Sequence, residues 1–355
     1  MTYSDRFAKI ADPTVMNLLK HTETPNLISF AGGTPNPEAL PLNLIKEALS
    51  IIEPNPQYTP TQGILSLRET LAKMYSVTPE SILITSGSQQ ALDLVGRVFI
   101  NPGDKMYVTN PTYFAALYAF NAYGSKYVSD LESANTVYVI PNFGNPTGET
   151  MDLTARKQFS QSNKLILEDD PYGQLYFDAK PPQSIYSLNS DKTIYLTSLS
   201  KIVGSALRIG IVIGKPETIE ALTRAKTGMD LCTSGLLQQI SNYVLSHPDY
   251  PNYLNAARSY YKNKCQTMLS ALTKYMPKEA SWTSPAGGMF IWMTLPESID
   301  TQELYYKALE QNIAFVPGYI FQPFGGKSSS LRLSFALPTS EQINTGTEKL
   351  AKLIC

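Results

Sequence analysis

The sequence predicts an α/β protein: a doubly wound, mostly parallel sheet in a large domain, with a second, smaller α+β domain. Two observations carry this. From about residue 80, short β-rich runs alternate with segments of helical length, and the runs are apolar throughout, as in strands covered on both faces. After Lys215-Pro216 the pattern turns helical to about Tyr275. Strands then return around Met289–Leu295 and Leu331–Phe335, with helices at about Thr301–Gln311 and Ser340–Leu353. A chain of 355 residues suits about two domains. The expected boundaries are an arm at 1–40 belonging to the small domain, a large domain at 41–255 and a small domain at 256–355.

In order along the chain, Asp12-Pro13 starts a short helix, and Ala31-Gly-Gly-Thr-Pro35 is a loop that allows close backbone approach. Ile82-Leu-Ile-Thr85 is a buried strand, followed by a helix with Leu92, Val95 and Phe99 facing inward. The turn Asn101-Pro-Gly-Asp104 leads into the strand Met106-Tyr-Val-Thr109. Thr136-Val-Tyr-Val-Ile140, Lys164-Leu-Ile-Leu-Glu168, Thr193-Ile-Tyr-Leu-Thr197 and Ile209-Gly-Ile-Val-Ile213 continue the series.

Composition excludes several classes of function. The chain has 29 basic and 30 acidic residues, so neither nucleic acid nor an acidic membrane surface finds an electrostatic footprint. Two histidines, His21 and His247, argue against a histidine-based metal site. Three scattered cysteines (Cys232, Cys265, Cys355) suit a reducing compartment, not a disulfide scaffold. The longest apolar stretch, about Met289 to Leu295, is far short of a membrane span, and the N-terminus has charges where a signal peptide needs an apolar run. The expectation is a cytoplasmic protein.

In an open α/β sheet, ligands bind beyond the carboxyl ends of the strands. Four such ends are rich in chemistry: Ser86-Gly-Ser-Gln-Gln90, Pro141-Asn-Phe-Gly-Asn-Pro-Thr-Gly148, Asp169-Asp-Pro-Tyr172, and Ser198-Leu-Ser-Lys201 with Arg208 seven residues on. Each has an ordinary reading: a helix N-cap, a turn, a solvated carboxylate, a surface lysine, an ion-paired arginine. Together they supply phosphate-binding amides at Ser88 and Gln89, a carboxylate for a pyridinium nitrogen and an amine for an aldehyde. Those are the parts of a pyridoxal 5′-phosphate (PLP) site.

With these residues, the sequence resembles the fold-type I PLP-dependent aminotransferases of class I/II, in the subgroup of 2-aminoadipate, kynurenine and broad-specificity enzymes. The matching stretches run through almost the whole chain: Ile28-Ser-Phe-Ala-Gly-Gly-Thr-Pro-Asn-Pro37, Tyr58-Thr-Pro-Thr-Gln-Gly63 with Leu67-Arg68, Thr85-Ser-Gly-Ser-Gln-Gln-Ala-Leu92, Asn145-Pro-Thr-Gly148, Glu168-Asp-Asp-Pro-Tyr172, Ser198-Leu-Ser-Lys201 with Leu207-Arg-Ile-Gly210, Pro285-Ala-Gly-Gly-Met-Phe290, Val316-Pro-Gly318 and Leu331-Arg-Leu-Ser-Phe-Ala336.

The resemblance implies roles. Lys201 would hold PLP covalently and shuttle the proton at the substrate Cα. Asp169 would pair with the ring nitrogen, Asn145 and Tyr172 with the ring hydroxyl, and Tyr113 would stack on the ring, a buried core tyrosine being the alternative. Ser88, Gln89, Ser198 and Arg208 would hold the phosphate, and Tyr58 would reach it from the other subunit of a homodimer with composite sites. Arg332 would take the substrate α-carboxylate with its planar fork, and Gly33 would line the substrate pocket. The reaction implied is ping-pong transfer of an amino group from an L-α-amino acid to a 2-oxo acid, with 2-oxoglutarate as the default acceptor.

Two departures stand out. Only Asp130–Asn135 joins Lys126–Ser129 to Thr136–Ile140, so a peripheral excursion found in relatives is expected to be trimmed away. Met16 falls where members acting on acidic side chains can carry an arginine, which favours aromatic or aliphatic donors. Two other functions remain open at this stage: a PLP-dependent decarboxylase, lyase or synthase on the same scaffold, and a non-catalytic sensor domain of a transcription regulator. Against the sensor, only about thirty residues precede Ile28, too few for a DNA-binding module.

Overall fold

The computed structural model describes Ser4 and residues 26–354, so the expected helix start at Asp12-Pro13 and the Met16 position lie outside the described residues. A short strand β1 (Ile28–Ser29) comes first, and the main sheet follows: β2 (Ile82–Thr85), β3 (Lys105–Val108), β4 (Lys126–Val128), β5 (Thr136–Val139), β6 (Leu165–Asp169), β7 (Thr193–Ser198) and β8 (Gly210–Ile213). Their spatial order is β2-β8-β7-β6-β5-β3-β4. Neighbours are parallel except at β8, which runs antiparallel to both β2 and β7. Residues 199–209, which join β7 to β8, form two short 3₁₀ turns and no crossover helix, and the chain turns straight back beside β7. That same tight return puts Lys201 and Arg208 in one loop at the edge where β2, β5, β6 and β7 end.

Every residue of β2, β5, β7 and β8 is buried. One face, with Leu83, Val212, Leu196, Leu167, Tyr138 and Met106, packs on the helices Ser88–Phe99, Phe114–Asn121 and Pro216–Thr227. Helix Ser88–Phe99 turns Ala91, Leu92, Leu94 and Val95 inward at helical spacing, with Phe99 only half-buried. The other face, with Ile82, Ile84, Ile211, Ile213 and Tyr195, merges into a core that continues to the C-terminal half.

That half holds an antiparallel sheet of β9 (Ser281–Trp282), β10 (Phe290–Thr294), β12 (Val316–Pro317) and β13 (Ser330–Ser334), ordered β12-β13-β10-β9. Between β10 and β12, β11 (Ile313–Ala314) pairs in parallel with β1. The Phe30 amide donates to the Ala314 carbonyl, and the Ser334 amide donates to the Phe30 carbonyl. The start of the described chain is thereby sewn to the C-terminal half, and Ala31-Gly-Gly33 is carried toward the main sheet edge. The helix Tyr250–Tyr275 turns Tyr261, Cys265, Met268 and Leu272 inward and packs on Ser340–Ile354.

The connection from β4 to β5 is direct. The Asp130 carboxylate accepts from the Glu132 and Ser133 amides, and Lys164 Nζ donates to the Glu132 and Ala134 carbonyls, so a tied turn stands where a helical excursion would fit. Among the described residues, no helix is long and apolar enough to cross a membrane, and no His/Cys/Asp/Glu cluster could hold a metal ion.

Candidate active site

The carboxyl edge of the main sheet encloses a cavity of about 160 Å³. Its wall brings together Ser88, Gln89, Tyr113, Asn145, Asp169, Tyr172, Ser198, Lys201 and Arg208, nine of the residues singled out from sequence. Arg332 and Gly33 reach the same place through hydrogen bonds: Arg332 Nη1 donates to Asn145 Oδ1 (2.7 Å), and Lys201 Nζ donates to the Gly33 carbonyl (2.7 Å). Tyr58 is not brought into this wall; it is 82% exposed on its own chain.

One end of the cavity is built for an anion. Helix Ser88–Phe99 begins after Gly87 with no side chain capping its first amides, so its positive end is open. Gly87 has φ +89°, and a Cβ there would overlap the Arg208 guanidinium, which donates to the Ser86 carbonyl at 3.5 Å. The loop is braced from behind: Gln90 Oε1 accepts from the Ser86 amide, Gln90 Nε2 donates to Asp230 (2.7 Å each), and Asp230 pairs with the buried Lys226 at 2.6 Å.

At the other end, β6 delivers Asp169. Its Oδ2 accepts from the Tyr138 hydroxyl at 2.8 Å, while its Oδ1 is buried with no partner among the described residues. Burial pushes this carboxyl up to about 7, against the lowering effect of the Tyr138 bond. Lys201 is pulled down to about 8 by burial first, then by the Arg332 and Arg208 charges. Burial also raises the Tyr113 phenol to about 12 and Tyr172 further, so both are hydroxyl donors at neutral pH. Asn145 hydrogen-bonds Tyr172 as well as Arg332.

Arg332 comes from β13, opposite Trp292 of β10 and Val316 of β12. Only 4% exposed, it lies 4.2 Å from the Phe290 ring and gives its fork to neutral acceptors, Asn145 Oδ1 and the Ala31 carbonyl, while its Nε has no partner among the described residues. A buried guanidinium held by neutral groups is poised for a carboxylate.

Sequence reasoning missed several contributors. Tyr138 reads in the sequence only as part of a strand, although a hydroxyl inside an all-buried strand must find a partner. Ile140, Pro171, Ser200 and Ser205 also line the wall. Asp170 ties two strand-end loops together behind the site: Oδ2 accepts from Asn142 and Tyr195, Oδ1 from the Gly173 amide, and Asn142 Oδ1 in turn accepts from the fully buried Arg156. The signal that could have found it is the run of three carboxyls, Glu168-Asp-Asp170, at the end of a buried strand.

These residues fit PLP. The unpartnered Asp169 Oδ1 suits a ring N–H, the uncapped helix end with Arg208 suits a phosphate, and the Lys201 amine lines the same cavity. Fold and site together define a fold-type I PLP-dependent transferase. The family model for aminotransferase class I and II matches residues 26–350. The chain is 36% identical to aromatic-amino-acid aminotransferase 1 of Thermococcus litoralis, over 99% of this chain and 94% of that one. Its structure is similar to LysN, the α-aminoadipate aminotransferase of Thermus thermophilus complexed with N-(5′-phosphopyridoxyl)-L-leucine, with TM-score 0.91 and 36% identity over 99% and 97% of the two chains. It is also similar to the kynurenine aminotransferase of Pyrococcus horikoshii, with TM-score 0.93 and 36% identity over 99% and 96%. The chain belongs to the class I and II aminotransferases. It is a PLP-dependent aminotransferase.

Proposed function

We propose that the enzyme moves the amino group of an L-α-amino acid with an aromatic, aliphatic or aminoadipate-like side chain to a 2-oxo acid such as 2-oxoglutarate, both substrates using one site in turn. The observation that carries this is the buried Arg332 fork, held by neutral acceptors beside Asn145 and within the reach of the Lys201 environment. Both substrate types present a carboxylate next to the reacting carbon, and one fork serves both. The rings Tyr113, Phe114, Phe321 and Trp292 form a continuous edge-packed series next to it, which supports apolar donors.

Bound PLP supplies the electron sink for charge developing at Cα. In this reading Lys201 holds the cofactor and moves the Cα proton, and its lowered basicity suits both tasks. Asp169 binds the ring nitrogen, Asn145 and Tyr172 the ring hydroxyl, and Tyr113 covers one ring face. The Ser88 and Gln89 amides, Ser198 and Arg208 hold the phosphate. Gly33 leaves the pocket open: a Cβ there would stand 2.8 Å from Phe290 Cζ.

A homodimer completes the reading. Leu42, Leu49, Ile51 and Leu65, all exposed, flank Tyr58 along the chain, which supports an apolar face that brings Tyr58 to the partner's phosphate. Free cysteines at Cys232 and Cys265 support a cytoplasmic setting. We infer from the sequence a division into arm, large and small domains at 40 and 255, with the helix Tyr250–Tyr275, which spans residue 255, as the joint.

The test is a titration of the PLP-loaded protein with single amino acids and no oxo acid, followed by visible absorbance. Good donors convert the chromophore to the pyridoxamine form with one equivalent of oxo acid released, and 2-oxoglutarate restores it. Loss of carbon dioxide or ammonia in place of that conversion would refute the reading.

A further inference from the structure

We propose that Tyr138 is a positioning residue that selects which Asp169 oxygen faces the cofactor and keeps the proton between them on the ring nitrogen. The inference rests on the assignment of Asp169 to that nitrogen.

The placement follows from sheet register. Tyr138 of β5 stands opposite Leu167 of β6, and both side chains belong to the same buried face. Asp169 is two residues beyond Leu167, so strand alternation returns it to that face, as the diagonal neighbour of Tyr138. A long side chain spans that diagonal, and the phenol reaches Asp169 Oδ2 at 2.8 Å. The ring cannot drift: Tyr138 is fully buried and packs edge-on against Phe120, with centroids 5.5 Å apart.

An ionised carboxylate is acceptor-only, whereas a protonated one has a hydrogen to donate. The Tyr138 phenol, raised far above its ordinary value by burial and the neighbouring Asp169 charge, keeps its hydrogen and acts here as the donor. It therefore favours the ionised form of Asp169 and engages Oδ2, leaving the unpartnered Oδ1 for a ring N–H. Without the phenol, a buried carboxylate with no donor takes the proton itself, and the ring nitrogen becomes the acceptor. The proton changes atoms and no bond between heavy atoms is altered. The consequence is a weaker electron sink in a site whose other groups are unmoved.

The experiment loads wild type, Tyr138→Phe and Asp169→Asn with PLP labelled with ¹⁵N in the ring and follows the nitrogen resonance against pH. Tyr138→Phe removes one oxygen and keeps the Phe120 contact. The ring nitrogen should lose its proton about one to two pH units lower than in wild type, the scale of one hydrogen bond to a charged group. Asp169→Asn should show an unprotonated nitrogen at neutral pH. If Asp169→Asn changes the resonance and Tyr138→Phe leaves its titration at the wild-type pH, the role of Tyr138 is overturned. If Asp169→Asn itself leaves the resonance unchanged, the assignment of Asp169 fails first. Tyr138→Thr, which restores a hydroxyl too short to reach, should behave as Tyr138→Phe; wild-type titration in it would likewise overturn the proposal.

Discussion

The environment of Lys201 makes a quantitative demand on the PLP-free protein. Burial and two guanidinium neighbours pull the amine from an ordinary 10.5 down to about 8. At pH 7 about a tenth of it is then neutral, roughly three hundred times the share in a lysine titrating at 10.5. Competitive acetylation of PLP-free protein from pH 6 to 11, read by mass spectrometry of the Lys201 peptide, measures this directly. Reactivity grows as the neutral amine forms, so it should rise through a midpoint of about 8 and then level. Exposed Lys192 serves as the internal reference for reagent concentration and accessibility. Because Arg332 is the larger of the two charge effects, Arg332→Met should move the Lys201 midpoint upward. A Lys201 midpoint alongside that of the exposed lysines would refute the claim that burial and these charges activate the amine.

Arg332→Lys keeps a charge and loses the fork; one charge-assisted bond of about 2 kcal/mol corresponds to a roughly thirty-fold rise in KM for donor and acceptor alike, with PLP still bound. Equal KM values in variant and wild type would exclude Arg332 from carboxylate binding. Asp169 and Glu168 both have folded values raised to about 7, so their favourable contribution is present at low pH and is lost as pH rises through about 7. The urea midpoint of PLP-free protein should therefore fall between pH 5 and 8. Asp169→Asn should flatten that fall and unfold at higher urea than wild type at pH 8; parallel curves would contradict it. Gly33→Ala forces its methyl toward Phe290 Cζ, an overpacking of about 1–3 kcal/mol that calorimetry should record as a lower Tm. An unchanged Tm would show that the ring yields freely.

Much of this site is legible in the sequence. Asp169 ends a buried strand, Asn145 and Lys201 each follow one, and parallel strands in one sheet deliver their carboxyl ends to one edge. Local sequence suffices there because strand identity and strand direction together dictate where the next residue goes. The direct turn at Asp130 is likewise implied by the shortness of the segment, since six residues leave no room for a crossover helix.

Tertiary structure decided the rest. The loop of residues 199–209 folds back as an antiparallel return, and only that reversal sets Arg208 beside Ser86. Arg332 meets Asn145 across 187 positions of sequence and the Ala31 carbonyl across 301, through the pairing of β1 with β11 and of β13 with β10. Tyr138 joins Asp169 through the register of β5 on β6, and a slip of one residue would turn its hydroxyl to the opposite face. Sequence alone determined which groups stand at the strand ends, because backbone periodicity and connection length are local. Their partners, and hence their charge states, were decided by contacts between distant segments, where burial removes the water that otherwise sets every acid and base to its ordinary value.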